Sequence, residues 1–197
     1  MFEFFNEDQK MLKSVVKEFA EKEIAPFAAE WDEKDECPKH LFKKMGELGL
    51  LGVFVPTEFG GAGLGITERA IILEEVSRHS AGLGIAIMTH DLATAAILNH
   101  ASEELKKEWL PKLCLAEVIG GLSVTEPTGG SDLANQATTI GKNEDGYILN
   151  GRKVFITNSH IADLNIWTGT SGVNEKGRKV LSALLIPPAT EGLTAGR

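Results

Sequence analysis

The stretch Gly120-Gly121-Leu122-Ser123-Val124-Thr125-Glu126-Pro127-Thr128-Gly129-Gly130-Ser131-Asp132 is the most informative in the chain. It reads as a short strand ending in a hydroxyl, then a proline-bearing turn, two glycines and a second hydroxyl. Gly129 and Gly130 carry no Cβ, so their backbone N–H groups can approach a ligand closely and hold a pyrophosphate. The same run also reads as a plain tight turn between strands. It is not a Walker loop, because no Gly-Lys-Ser/Thr follows. Nor is it a Rossmann fingerprint, because a strand pattern follows it in place of a helix. Downstream, Val154-Phe155-Ile156-Thr157-Asn158 offers an aromatic and, two positions on, another hydroxyl.

Ahead of this run, residues 1–118 read as helices. Leu12, Val15, Val16, Phe19 and Ala20 form a single apolar stripe at helical spacing. Asn6 is placed as its N-cap, and Pro26 ends the helix at Ile24 or Ala25. A second helix is expected from Pro38 to Gly49 or Gly52, burying Leu41, Met45 and Leu48. The glycine-rich loop 56–65 precedes a third from Thr67 to Arg78, with Ile71, Ile72, Leu73 and Val76 inward. A fourth, from Leu83 to His100, is apolar on most sides and reads as a central buried helix. The fifth runs from Ser102, which caps an acidic first turn, to Leu115.

After Val118 the segments shorten and become β-branched. Strands are expected at Ala137–Ile140, Tyr147–Leu149, Arg152–Thr157, Leu164–Thr170 and Val180–Ile186. Asn143–Gly146 reads as a turn, and Asn150-Gly151 as a hairpin turn. The pattern predicts an antiparallel β module. Its last residues, Gly192 to Arg197, contribute no closing element, so the expectation is a β domain that is incomplete or completed by a partner. The boundaries drawn are residues 1–118 for the helical domain and 119–197 for the β domain.

The chain has 197 residues, 43% hydrophobic and 24% charged, with a net charge of −8. This is a globular composition, and the acidic balance argues against general nucleic-acid binding. Cys37 and Cys114 are too far apart in sequence to suggest a metal cluster or disulfide framework. The N-terminus, Met1-Phe2-Glu3-Phe4-Phe5-Asn6-Glu7, is acidic where a secretory signal is basic. The longest apolar run, Ala81–Ile97, is interrupted by His90 and Asp91. These features predict a protein of the cytoplasm or an organelle matrix, with no membrane insertion.

A flavin needs a cover for its ring, donors at its pyrimidine edge and a hydrogen bond at its hydride-accepting nitrogen. Thr125, Phe155 and Thr157 are of the types that serve these needs, although singly each is also an ordinary strand residue. Taken together, the order of motifs resembles the acyl-CoA dehydrogenase family. The motifs are Leu122-Ser-Val-Thr-Glu-Pro-Thr-Gly-Gly-Ser-Asp132 and Leu149-Asn-Gly-Arg-Lys-Val-Phe-Ile-Thr-Asn-Ser-His-Ile-Ala-Asp163, with Glu47–Gly52, Val55–Gly61 and Trp109–Leu113 before them.

The resemblance implies an α+β fold: an N-terminal all-α domain followed by an antiparallel β-barrel-like domain, truncated before the family's C-terminal helical domain. It implies FAD as cofactor, held by Leu122, Ser123, Val124, Thr125, Gly130, Ser131, Phe155, Ile156 and Thr157. Thr125 would bond the pyrimidine edge, Thr157 the hydride-accepting nitrogen. Ser131 would touch the pyrophosphate and border the acyl-CoA. Many family members have Trp where this chain has Phe155, which keeps an aromatic face without the indole N–H.

The implied reaction is α,β-dehydrogenation of an acyl-CoA thioester with hydride transfer to FAD. The family's proton-abstracting Glu lies in the C-terminal domain, so no catalytic residue is assigned here. Glu126 reads as a structural hydrogen-bonding group, and His90 as a core residue or pocket lining. The helix 83–97 would wall the acyl pocket, with Ala86, Ala93, Ala95 and Ala96 leaving room for a larger acyl group. Electron-transferring flavoprotein is the implied electron acceptor, and a homotetramer or dimer the implied assembly. The alternatives are an acyl-CoA oxidase or flavin monooxygenase on the same scaffold, or a non-catalytic binding module if 197 residues is the natural length.

Overall fold

The computed structural model describes residues 4–144, 146–187 and 189–196. Met1, Phe2 and Glu3 of the acidic N-terminus, Asp145 of the expected 143–146 turn, Pro188 and the terminal Arg197 lie outside the described residues. The chain divides into two compact units, Met1–Ile119 and Gly120–Arg197.

The first unit is helical: α1 Glu7–Glu23, α2 Ala28–Glu33, α3 Lys39–Glu47, α4 Ile66–Ser77, α5 Ala81–His100 and α6 Glu103–Cys114. Their starts follow the capping chemistry. The Asn6 side chain accepts from the Gln9 backbone N–H at 2.8 Å and Gln9 returns the bond at 3.1 Å, a reciprocal capping box. Ser80 and Ser102 cap α5 and α6 by accepting from Leu83 and Leu105. The six-residue α2 was not foreseen, because Pro26 reads as a stop and the segment is too short to display a period.

The core contains Val16, Phe19 and Ala20 of α1, Leu41, Phe42 and Met45 of α3, Ile71, Ile72 and Val76 of α4, and Leu110 and Leu113 of α6. Two expected core residues are instead exposed, Val15 at 49% and Leu48 at 54%. Val15 adjoins buried Val16, where only one neighbour can sit on the centre of the stripe. Leu48 caps the end of α3, beyond its last buried turn. The fourth expected helix is also not buried all round. Among its apolar residues Ile85, Met88 and Leu92 are 45%, 38% and 47% exposed, one stripe at helical spacing.

By length and composition α5 is the one described helix that could cross a membrane. A core helix of a bundle meets the same test, and the polar middle of α5 is paired inside the protein. Asp91 forms a buried ion pair with Arg69 of α4, and Arg69 also donates to the Leu50 carbonyl oxygen at 2.9 Å. Burial raises the Asp91 carboxyl and lowers the Arg69 guanidinium, and the attraction between them opposes both shifts. His90 packs edge-on against Phe42 at 5.8 Å, and its Nε2 lies 3.1 Å from the Leu113 carbonyl oxygen. Burial pushes its pKa down to about 4, so the ring is neutral at pH 7. Burial likewise pushes the Cys114 thiol up to about 11.

The second unit is a five-stranded sheet: β1 Gly120–Ser123, β2 Thr139–Asn143, β3 Gly146–Asn150, β4 Leu164–Val173 and β5 Lys179–Ile186. It is mixed, where an antiparallel module was expected, and it does not close into a barrel among the described residues. β1 runs parallel along the first half of β4, from Gly120 opposite Leu164 to Ser123 opposite Trp167. β2 joins the same edge farther on, parallel at Thr139 and Thr170. β5 pairs antiparallel with the opposite edge. Parallel pairing was hidden because composition does not state strand direction, which is set by which distant strand each segment meets.

Two further expectations are corrected. Asn150-Gly151 is not a hairpin turn. The β2–β3 hairpin pairs Asn143 with Gly146, so its connection is the earlier turn. Residues 152–157 do not form a strand. Phe155 sits at φ 56°, which no strand residue adopts.

Replacing Asp91 by Ala leaves Arg69 charged and alone in the interior. The expected loss is about 3–5 kcal/mol of unfolding free energy in urea, against much less for the Arg69→Leu/Asp91→Leu double variant. Equal losses would show that the two charges do not act as a pair.

Candidate functional site

The motif quoted at the outset folds as a strand end and a tight turn. β1 stops at Ser123. Glu126 and Gly129 exchange backbone hydrogen bonds, each 3.1 Å, around Pro127-Thr128. Proline presets the first inner position of such a turn. The Gly129 N–H is therefore committed inside the turn, which corrects the idea of a run of free N–H groups there. Gly130 and Ser131, which follow it, are both exposed.

The second motif segment is held against the first by backbone and side chain. The Val154 N–H donates to the Thr125 carbonyl oxygen at 2.9 Å. Next to it, the Lys153 ammonium donates to the Val124 carbonyl oxygen at 3.0 Å, to Glu126 Oε1 at 2.8 Å and to Gln136 Oε1 at 2.9 Å. All three ammonium donors are satisfied, with the Lys153 and Glu126 side chains only 1% and 3% exposed.

Glu126 is equally well served. Oε1 also accepts from the Thr138 N–H at 3.0 Å, and Oε2 from the Ala137 N–H at 2.6 Å. Burial by itself would raise this carboxyl. The hydrogen bonds from Lys153, Thr138 and Ala137 outweigh it and hold the pKa at about 2. So Glu126 is an ionised structural acceptor and no proton shuttle at neutral pH. Gln136 extends the network. Its Oε1 accepts from Thr168 of β4 at 2.9 Å, and its carbonyl oxygen from Thr170 of β4 at 3.1 Å and Lys179 of β5 at 2.8 Å.

The nine residues expected at a flavin fall into two groups. Leu122, Val124 and Thr125 are half-buried, whereas Ser123 is 1% exposed and closed off by the protein. Phe155 is 94% exposed, lifted out by its left-handed backbone, while Ile156 and Thr157 are half-buried beside it. A bulky residue in that region is held there by its surroundings. Behind it, Asn158, also left-handed at φ 68°, donates to the Gly120 carbonyl oxygen at 3.2 Å. The segment 151–158 is thus pinned at both ends to β1 and the motif turn. Within the helical unit, Ala86 and Ala93 of α5 are buried, and Ala95 and Ala96 half-buried.

These residues fit FAD. A Cβ added at Gly129 would meet nothing within 4 Å, and one at Gly130 only Thr125 Cγ2 at 3.6 Å, so a ligand can approach the turn's backbone. The Phe155 ring is bare, and among the described residues none hydrogen-bonds the hydroxyls of Thr125, Ser131 or Thr157. Sequence reading overlooked Lys153 and Gln136. The available signal was a lysine beside the apolar pair Val154-Phe155, whose charge must find a partner if it is turned inward.

Residues 6–117 match the family model "Acyl-CoA dehydrogenase, N-terminal domain", and residues 121–197 match "Acyl-CoA dehydrogenase, middle domain". An acyl-CoA dehydrogenase of Bacillus subtilis is 38% identical over 192 residues, which is 97% of this chain and 50% of that protein. The crystal structure of an acyl-CoA dehydrogenase from Geobacillus kaustophilus superposes with a TM-score of 0.92 at 35% identity, covering 99% of this chain and 52% of the other. A glutaryl-CoA dehydrogenase from Mycobacterium smegmatis, in complex with FADH2, gives 0.90 at 28% identity, covering 98% and 48%. The chain spans about half the length of the relatives it matches.

The Glu126 carboxyl, depressed from 4.5 to about 2, contributes stability that is complete above its unfolded pKa and is lost as pH falls through the folded value. Between those limits the folded state should lose about 3 kcal/mol from this group alone. Urea unfolding at a series of pH values is expected to show that slope in the wild type and a flatter one in Glu126→Gln.

Proposed function

The chain belongs to the acyl-CoA dehydrogenase family, and on that premise we propose that it is the helical and flavin-binding portion of an FAD-dependent acyl-CoA dehydrogenase. The reaction is α,β-dehydrogenation of an acyl-CoA thioester. What carries this reading is the pairing of Val154 N–H with the Thr125 carbonyl oxygen. It sets a hydroxyl-bearing turn beside an exposed aromatic, the two things a flavin ring needs from its protein.

In this reading Leu122, Val124 and Thr125 take the pyrimidine side of the ring, Phe155 and Ile156 lie along it, and Thr157 bonds its hydride-accepting nitrogen. Ser123 contributes through its backbone. Gly130 and Ser131 receive the pyrophosphate, and Ser131 also borders the acyl-CoA. When bound, the flavin supplies the acceptor for the hydride leaving the β carbon. No residue of this chain is assigned as the base. Glu126 is ruled out of that role by its pairing, since a carboxylate with all its oxygens engaged and a pKa of about 2 takes no proton at pH 7.

The proposed partners are an acyl-CoA and, as electron acceptor, electron-transferring flavoprotein, with assembly as a homotetramer or dimer. The proposed location is the cytoplasm or an organelle matrix, without membrane insertion.

Anaerobic titration of the FAD-loaded full-length enzyme, of which this chain is proposed to be a portion, with acyl-CoAs of graded chain length is expected to bleach the visible flavin band. Turnover in air should yield no stoichiometric peroxide. A flavin left oxidised by every acyl-CoA would refute the reading. Thr157→Val should slow bleaching about tenfold, as expected for one lost hydrogen bond at the accepting nitrogen. Ala96→Leu, at a half-buried position of α5, should shift the preferred acyl group to a shorter one, and an unchanged chain-length profile would remove α5 from the acyl pocket.

A further inference from the structure

Lys153 follows an Arg and precedes Val154 in a segment with no regular secondary structure, a setting in which a lysine ordinarily reaches water. Here its ammonium is turned inward and gripped by three acceptors from two other segments: the Val124 carbonyl and the Glu126 carboxylate of the motif, and the Gln136 amide. Two of them flank Thr125 directly. The following residue, Val154, bonds Thr125 itself. The dipeptide 153–154 therefore holds Val124, Thr125 and Glu126 in a continuous clamp. Phe155 is the very next residue, and Thr157 lies two beyond it.

We infer that Lys153 is a positioning residue of the flavin site: by binding on both sides of Thr125 it fixes the spacing between that residue and the segment carrying Phe155 and Thr157. The inference rests on the reading of this face as the flavin site. Three observations carry it. First, a buried ammonium with three matched acceptors tolerates no slippage, because a shift of one residue leaves a charge unpaired in the interior. An apolar side chain of the same volume would fill the space without dictating the register.

Second, the segment is also fixed upstream of the lysine. A Cβ at Gly151 would lie 2.2 Å from Thr138 Oγ1, so the backbone there is packed directly on the strand of residues whose N–H groups hold Glu126. Third, Phe155 occupies a left-handed conformation that a bulky side chain keeps only where neighbouring contacts over-determine it. The Lys153 and Val154 bonds immediately before it, and the Asn158 bond after it, supply those contacts. The Lys153 ammonium is buried on protein acceptors, with its side chain 1% exposed. It acts through Thr125 and Phe155.

The test compares the full chain as wild type, Lys153→Met and Glu126→Gln/Lys153→Met. Three properties are read: FAD affinity with the visible spectrum of the bound flavin, melting temperature of the apoprotein, and hydrogen exchange of the 154–157 amides. Lys153→Met strands the Glu126 charge, so both affinity and melting temperature should fall. The double variant removes both charges and should recover most of the melting temperature. Its FAD dissociation constant should nevertheless stay about tenfold weaker than wild type, the equivalent of one charge-assisted hydrogen bond. Its flavin band should remain shifted, and its 154–157 amides should exchange faster.

A double variant with wild-type affinity, spectrum and exchange overturns the inference, since the pair would then serve only the fold. If Lys153→Met does not fold, the double variant carries the comparison alone. If the wild type itself takes up no FAD, the flavin reading fails, and amide exchange still decides whether Lys153 sets the segment.

Discussion

The ammonium of Lys153 and the carboxylate of Glu126 meet at 2.8 Å with almost no solvent contact, and the β unit is arranged around that meeting. Removing two charges from water is costly, and their attraction offsets it only when every remaining donor and acceptor is also matched. Here the matching partners are the end of β1, the backbone at Ala137 and Thr138 that leads into β2, and the Gln136 amide. Through Gln136 the same network reaches β4 and β5. Satisfying one ion pair thus obliges five separated stretches of chain to converge. That convergence is also what brings the Thr125 turn and the Phe155 segment to one place.

The helical unit uses a second buried pair differently. Arg69 and Asp91 join α4 to α5, and Arg69 takes the Leu50 carbonyl from the loop after α3. Lys13 of α1 likewise meets Glu74 and Glu75 of α4, so such pairs help specify which helix faces which while apolar packing along amphipathic stripes supplies most of the hydrophobic burial. In the β unit the proportions are reversed. Many residues of β2, β3 and β5 remain exposed, and polar contacts do the aligning. This suits the proposed role of that surface, which is to present hydroxyls, glycine backbone and an aromatic ring to a large planar ligand.

Much of this was legible in the residues. Five of the six helices follow from apolar spacing and, for two of them, their caps, because a helix start is a local hydrogen-bonding event that Asn6 or Ser102 can declare alone. The strands expected at Leu164–Thr170 and Val180–Ile186 fall within β4 and β5. The motif at 122–132 was recognisable, and Glu126 was read correctly as structural. The misreadings share a cause. Arg152–Thr157 has strand composition, yet its Val154 N–H is taken by Thr125 outside any ladder and Phe155 is left-handed. Asn150-Gly151 has hairpin chemistry, yet Gly151 is there because Thr138 leaves no room for a Cβ. In each case a contact made far along the chain overrode a sound local preference.

The order of residues alone set the family, the helices, the approximate strands and the side chains proposed to serve a flavin, since these depend on side-chain type and on spacing within a few residues. The folded arrangement was needed to establish that the sheet is mixed with β4 at its centre, that Ile85, Met88 and Leu92 are left exposed on α5, and that Lys153 turns inward to bind on both sides of Thr125. Strand direction, helix facing and the partner of a buried charge are all properties of pairs of distant segments. No local pattern carries them, because the free energy that selects them is realised only when the segments meet.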